Sequence, residues 1–201
     1  MSELERWETR FRSPDYVFGT APNAFLKAQA HRLHPGQTAL SVADGEGRNG
    51  VWLAEQGLDV LAVDFSPAAL AKAQALAQKR GVKLRTEIAD LTNWRWPEAA
   101  FDVIAAIFMQ IVFPAERAAL FTNLKRALKP GGLLLMQGYR VEQLTYRTGG
   151  PPEPERLYTR ALLEEAFGDM AELEIREHDS AINEGTGHVG MSALIDLIAK
   201  K

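Results

Sequence analysis

Between residues 39 and 136, short apolar runs alternate with helix-patterned segments, and this alternation restricts the chain more than any other feature. The runs are Ala39–Ala43, Asp59–Val63, Val82–Ala89, Phe101–Ile107 and Leu133–Met136. Between them, Arg48–Gln56 is followed by Gly57, Ala68–Lys79 is closed by Gly81, and Pro114 opens a segment carrying Ala118, Leu120, Leu124 and Leu128. Glycine just past a helix adopts the left-handed conformation that ends it. Ser66-Pro67 supplies an N-cap and then the residue best suited to the first helical position. Phe101–Ile107 is apolar at every position but Asp102, as a strand buried on both faces must nearly be. Strands joined by helices pair parallel and carry helices on both faces. After Pro154 the order changes. Thr159–Phe167 reads as a short helix, and Ala171–Glu177 and Ser192–Ala199 read as strands with no full helix between them, which favours an antiparallel pair. The expected fold is α/β, with a mostly parallel sheet and an antiparallel end.

Composition narrows the function classes. The 201 residues are 46% hydrophobic and 24% charged, with 23 Lys+Arg against 26 Asp+Glu and a net charge of −3. That excludes a disordered chain and fits one domain over 1–201, since no linker or repeat divides it. Thr148–Pro154, rich in Gly and Pro, reads as a surface loop. There is no cysteine, so thiolate zinc, iron–sulfur and Cys-nucleophile chemistry are excluded. His31, His34, His178 and His188 form no metal-ligand pair, and no metal is expected. Met1–Arg6 lacks the apolar core of a signal peptide, and no apolar run approaches the ~20 residues that span a bilayer. A cytoplasmic protein with no membrane partner is expected. Mild acidity and the lack of a long Lys/Arg cluster argue against a nucleic-acid partner.

Chemistry concentrates in the turn after the first run, Asp44-Gly45-Glu46-Gly47-Arg48-Asn49-Gly50. Gly45 and Gly47 permit positive φ and close approach of a ligand to the backbone. The next helix presents unpaired N–H groups that favour an anion. Alone, the G-x-G-x-x-G spacing is also that of an ordinary tight turn; a strand before and a helix after favour a ligand site. Asp64, nineteen positions beyond Gly45, ends the second strand, where a carboxylate accepts hydrogen bonds from a ribose diol. Its plainer role is a charge near the helix start at Ser66. Asp90 can accept from an adenine amino group, with Leu91 against the ring, or be a solitary surface Asp. A glycine turn with an acid after the second strand suits NAD as well as S-adenosylmethionine. Three features favour the second. Glu46 would repel a pyrophosphate but not an ammonium. Lys129-Pro130-Gly131-Gly132 makes a tight turn before the fifth strand. The tail adds an antiparallel strand in place of a further parallel unit.

Val42–Asn49, Val63-Asp64-Phe65-Ser66, Ala89-Asp90-Leu91 and Leu128–Gly132 together make the chain resemble the class I S-adenosylmethionine-dependent methyltransferases over nearly its whole length. It is most similar to small bacterial methyltransferases of the tellurite-resistance and thiopurine type. That likeness rests on Trp7–Phe11, Tyr16–Asn23, Glu46–Asn49 and Glu184–Gly190. Many relatives have cysteine where Glu46 stands. The resemblance implies a Rossmann-like three-layer sandwich with a mostly parallel seven-stranded sheet and an antiparallel last strand. It implies S-adenosyl-L-methionine as methyl donor, with S-adenosyl-L-homocysteine as product. Asp44, Gly45 and Gly47 would bracket the methionine part, Asp64 the ribose, Phe65 the adenosine, and Asp90 and Leu91 the adenine. Ile107 and Phe108 would line the ligand near its sulfonium. Glu46, Asn49 and Ser66 fall in the same motifs and join this cofactor set.

Trp7, Phe11, Tyr16 and Phe18 suit either a hydrophobic anchor for an N-terminal helix or a lid over the cofactor, formed by residues 1–30. Aromatic faces attract a sulfonium by about 0.5–2 kcal/mol, and Tyr16, Phe18 and Gly19 are the lid candidates. Arg48 could meet the methionine carboxylate or pair with a nearby acid. Tyr139, Arg140, Tyr146 and the Gly149–Pro154 loop could line the acceptor pocket. His188, between glycines, is expected in an exposed, mobile turn before the last strand, as either a general base or a surface residue. The tip of the fourth strand, Ile107-Phe108-Met109-Gln110, lacks the Asn/Asp-Pro-Pro-aromatic motif of nucleic-acid amino methylation. A small-molecule acceptor with an S, Se/Te, O or heteroaromatic N nucleophile is expected. An NAD(P)-dependent oxidoreductase and a non-catalytic nucleotide-sensing module are the alternatives.

Overall fold

A computed structural model describes residues 2–201. The strands are β1 (Thr38–Val42), β2 (Asp59–Asp64), β3 (Arg85–Ile88), β4 (Phe101–Ile107), β5 (Leu128–Tyr139), β6 (Glu172–Glu184) and β7 (His188–Lys200). The helices are α1 (Glu3–Phe11), α2 (Ala24–Ala28), α3 (Arg48–Glu55), α4 (Pro67–Arg80), α5 (Pro114–Ala127), α6 (Gln143–Tyr146) and α7 (Arg160–Phe167). The seven strands form one sheet in the order β3-β2-β1-β4-β5-β7-β6. β1 through β5 pair parallel, and β7 runs antiparallel to both β5 and β6.

The apolar alternation sorts the layers. Leu40, Val42, Ile104, Ala106, Leu134 and Met136 face Leu120, Phe121 and Leu124 of α5 and Leu163 and Phe167 of α7. Ala39, Val60, Val103, Ala105, Ile107 and Leu135 face Leu26 of α2 and Trp52 and Leu53 of α3. The sheet is thus covered on both faces, as a parallel sheet requires. Ser66 caps α4 as expected, its hydroxyl accepting from the Ala69 N–H at 3.2 Å. The order of the strands reverses between β1 and β4. Ligands of open α/β sheets bind in the crevice that such a reversal leaves at the carboxyl ends of the strands.

The structure corrects four strand boundaries. β3 does not start at Val82, because the Val82 N–H donates to Ala77 O and completes the exit of α4 past Gly81 (φ 70°). Lys129–Gly132 is a bulge within β5 rather than a turn before it: the register passes from Phe101↔Leu128 to Val103↔Leu133. The Gly131 N–H donates to Lys201 O at 2.8 Å, and the Lys201 N–H to Gly132 O at 2.9 Å. β6 and β7 are 13 residues each and pair along their whole length, well past Ala171–Glu177 and Ser192–Ala199. β6 is an edge strand whose exposed and half-buried residues alternate, so its polar half has no apolar run to mark it.

The lower end of the sheet is tied by one carboxylate. Asp102 Oδ2 accepts from the Thr38 N–H (2.8 Å), Thr38 Oγ1 (2.8 Å) and Lys129 Nζ (2.9 Å), joining β1, β4 and β5. The lysine hydrogen bond, chiefly, holds the Asp102 carboxyl at about 2. Among the described residues, no helix is long and apolar enough to cross a membrane.

Candidate active site

The upper end of the sheet begins at the glycine turn. Asp44 is buried; it accepts from Ser41 Oγ at 2.6 Å and from the Gly50 N–H at 3.0 Å. A Cβ on Gly50 would stand 2.5 Å from Asp44 Oδ2, so only glycine lets the helix backbone meet this carboxylate. Gly47 is the N-cap of α3 at φ 90°, and a Cβ there would lie 2.5 Å from Ala73 Cβ of α4. The G-x-G-x-x-G spacing therefore serves backbone geometry at its first glycine (Gly45, φ 59°) and second, and packing at its second and third. Burial pushes the Asp44 carboxyl up to about 7, against its hydrogen bonds. Asp64 ends β2 and takes the Gly45 N–H on Oδ2 and the Ser66 N–H on Oδ1, each at 2.9 Å. Burial raises its carboxyl as well. Each Asp64 oxygen keeps a lone pair beyond its backbone bond.

The N-terminal segment lies across these groups. Phe11 is buried and its ring faces Gly45, while Glu8 accepts from Ser66 Oγ and the Ala68 N–H at the start of α4. Trp7 stacks on Phe11 with centroids 5.3 Å apart, and Phe18 lies 6.1 Å from Trp7 and 6.3 Å from Phe11. Glu46 is buried and paired with Lys72 of α4. Lys72 Nζ also donates to Ser13 O (2.8 Å) and Asp15 O (2.7 Å), and its charge sits over the Tyr16 ring at 5.0 Å. Tyr16 Oη donates to Lys72 O at 3.0 Å. Glu46 and Tyr16 are thus drawn into fastening the N-terminal segment.

Val17 O accepts from the Thr186 N–H (2.8 Å) and the Gly187 N–H (3.1 Å), so the Val17-Phe18-Gly19 loop is seated on the β6–β7 turn. This corrects the placement of His188. It is the first residue of β7, 9% exposed, not part of an open turn. Phe18 covers its ring at 4.5 Å, Phe108 at 4.6 Å and Tyr139 at 5.6 Å between centroids. Burial lowers the His188 pKa below its ordinary 6.5, leaving the ring neutral at pH 7. Phe108, at the tip of β4, holds φ 53°, an uncommon conformation for a bulky residue.

Arg48 pairs with an acid, as one of its two readings had it. Its Nη2 lies 2.7 Å from Glu184 Oε2, both side chains buried, close enough for an ion pair but not aligned as a hydrogen bond. Glu184 Oε2 also lies 3.7 Å from His188 Nδ1. Burial works against the Glu184 charge, but His188 and Arg48 outweigh it and hold the carboxyl at about 2. Arg48 Nη1, Glu184 Oε2, His188 Nδ1 and Tyr139 Oη are buried polar atoms without a hydrogen-bond partner.

Other candidates lie apart from this cluster. Asp90 is exposed and takes Thr92 and Asn93 as hydrogen-bond donors, while Leu91 is buried. Arg140 and Tyr146 both bond to Asp179 on the surface of β6. Asn23, Gln137, Asp196 and His178, which the sequence reading did not single out, join the site from behind. Their one sequence signal is a polar residue set in apolar strand runs, Gln137 after Leu133–Met136 and Asp196 between Ile195 and Leu197.

Comparison with known proteins agrees with this fold. Residues 39–132 match the family profile described as a methyltransferase domain. Ribosomal protein L11 methyltransferase of Thermus thermophilus is 32% identical over 129 residues, covering 62% of this chain and 49% of that protein. This chain spans about half the length, or less, of the curated relatives it matches. TehB from Haemophilus influenzae superposes with a TM-score of 0.70 at 16% identity, covering 98% of this chain and 66% of that one. A SAM-dependent methyltransferase from Aquifex aeolicus superposes with a TM-score of 0.65 at 18% identity, covering 100% and 99%. Residues 39–132 therefore match a methyltransferase domain, and the whole chain shares the fold of solved S-adenosylmethionine-dependent methyltransferases.

Proposed function

We propose that this chain transfers a methyl group from S-adenosylmethionine to a small-molecule acceptor bound beside His188. The carrying observation is the convergence of Arg48 Nη1, Glu184 Oε2, His188 Nδ1 and Tyr139 Oη, four buried polar atoms short of partners. Leaving a buried polar group unpaired costs about 1–3 kcal/mol, and a polar ligand that meets Arg48 Nη1 and Tyr139 Oη removes that cost for them. Phe18, Phe108 and Tyr139 pack their rings around His188, and aromatic faces suit a sulfonium.

The strand ends fit the donor. Asp44, Gly45, Gly47 and Asn49 would hold its methionine part, with Arg48 Nη1 free for a carboxylate. Asp64 has lone pairs for the ribose hydroxyls, with Phe65 and Ser66 beside it. Leu91 and Asp90 would meet the adenine, and Ile107 and Phe108 would lie near the sulfur. When bound, S-adenosylmethionine supplies a methyl group on a positively charged sulfur, already activated for displacement. The protein's work is alignment, which can contribute about 7–11 kcal/mol, and exclusion of water. α1 and the Tyr16–Gly19 loop provide that exclusion as a lid, with Glu46 and Lys72 as its fastening. Neutral His188 can take the proton from an oxygen or nitrogen nucleophile; a thiolate needs no base.

Calorimetry with S-adenosylhomocysteine and with NADH separates this reading from an oxidoreductase. Binding of NADH alone would sink it. A screen of thiol, selenol, tellurite, phenol and heteroaromatic acceptors with labelled donor then tests catalysis in wild type and in His188→Ala. Donor binding without turnover on any acceptor would leave a sensing module instead. Equal rates in the variant on every acceptor would remove His188 from the chemistry.

A further inference from the structure

A line of buried polar side chains runs behind the site along one face of the sheet. His178 Nε2 lies 3.0 Å from Asp196 Oδ2, and Gln137 Nε2 donates to Asp196 Oδ1 at 2.6 Å. Gln137 and Asp196 stand opposite each other on β5 and β7. Asn23 Nδ2 donates to Gln137 Oε1 at 2.7 Å and to Glu184 Oε1 at 3.0 Å. Asn23 Oδ1 accepts from the Leu26 N–H at 3.0 Å, and its own N–H donates to Asn49 Oδ1 at 2.9 Å. The line ends where Glu184 Oε2 faces His188 Nδ1 at 3.7 Å.

Its members are oriented in sequence. An ionised carboxylate only accepts hydrogen bonds, so Asp196 obliges Gln137 to turn its NH2 toward β7 and its oxygen toward Asn23. That oxygen in turn obliges Asn23 to present its NH2, which also reaches Glu184. His178 occupies the other oxygen of Asp196, and Ser180 Oγ lies 2.8 Å from His178 Nδ1. Arg48 holds Glu184 from the α3 side. Every member is buried or nearly so except His178, at the edge of the sheet.

We propose that His178, Asp196, Gln137 and Asn23 are positioning residues: they fix the Glu184 carboxylate so that His188 carries its ring proton on Nδ1 and keeps Nε2 as its basic nitrogen. The proposal rests on the reading that His188 serves the acceptor, but its geometry is testable without knowing that acceptor. In a neutral imidazole the partner of one nitrogen decides which nitrogen holds the proton. The carboxylate that orients His188 is here itself oriented, through two amides, by the His178–Asp196 pair across the sheet.

The test is nitrogen-15 NMR of the His188 ring in the full chain, assigned by loss of the signal in His188→Ala. Wild type is expected to show the Nδ1–H tautomer as the major form. Asp196→Asn and Gln137→Met remove the orienting carboxylate or its link, and Nε2–H is expected to become the major form, as in Glu184→Gln. A wild-type spectrum dominated by Nε2–H overturns the proposal even if every variant fails to fold. A folded Asp196→Asn protein whose His188 shifts match wild type overturns it too. Calorimetry with S-adenosylhomocysteine on the same wild-type sample separates the two claims. Absent binding defeats the methyltransferase reading while the tautomer result stands or falls alone.

Discussion

At the lower end of the sheet, Asp102 meets two donors from Thr38 and one from Lys129, and its carboxyl sits at about 2. At the upper end of the same strands, Asp44 is buried with one hydroxyl and one backbone N–H, and burial lifts its carboxyl to about 7. One strand length, roughly 15 Å, separates a carboxylate surrounded by donors from Arg48, Glu184 and His188, whose buried polar atoms lack partners. Local satisfaction marks the half-exposed lower end, where Asp102 meets its donors. Under-satisfaction, paid for elsewhere in the structure, marks the end shaped for something else.

The contrast is sharpest for the two lysines. Lys72→Met would strand the buried Glu46 carboxylate and release the Ser13 and Asp15 carbonyls, so a loss of about 3–5 kcal/mol in denaturant unfolding is expected. Lys129→Met breaks a half-exposed pair with Asp102 and should cost about 1 kcal/mol or less. Equal losses would dissolve the distinction. Next comes ligand affinity. Asp64→Asn should weaken S-adenosylhomocysteine binding by about 10²-fold in calorimetry, since charged hydrogen bonds are worth about 1.5–3 kcal/mol, while Asp102→Asn should change it less than about twofold.

The pH dependences should run in opposite directions. The lowered Asp102 carboxyl contributes stability above about 4 that fades as pH falls toward 2. The raised Asp44 carboxyl contributes stability below its unfolded value, and that contribution is lost as pH climbs through about 7. Asn at position 44 keeps the oxygen that Ser41 and Gly50 use. Asp44→Asn should therefore gain about 2 kcal/mol on wild type between pH 5 and pH 8 in urea unfolding. A constant difference across that range would place the perturbed acid elsewhere. A modest effect is expected from Tyr16→Phe, which removes one hydrogen bond to Lys72 O and should cost about 1 kcal/mol in urea unfolding.

Most of the upper end was legible because its elements are local. The glycine turn, Asp64, and Ser66-Pro67 each declare themselves within a few residues, and β1, β2, β4 and β5 follow from apolar runs, whereas β3, Arg85–Ile88, is a largely exposed edge strand whose start no apolar run marks. His188 was misplaced because its burial depends on Phe18, Phe108 and Tyr139, none of them near it in sequence. Flanking glycines suggested an open turn; instead Gly187 lets the Phe18 ring settle close against it, and Gly190 lies against Thr148. The polar line through Asn23, Gln137 and Asp196 was hidden for a related reason. Its members come one each from separate elements, so no spacing records them, and only the sheet register brings them side by side.

Thr186 reaches Val17 across 169 positions of chain. Contacts that distant are slow to form, because a long loop must close before they return any free energy. The covering of the strand ends is therefore expected to be a late event in maturation, arriving after the sheet is assembled. Until then a nascent or partly refolded molecule would present its carboxylate tips to bulk water, and chemistry that depends on a dry enclosure would begin only with the final hairpin.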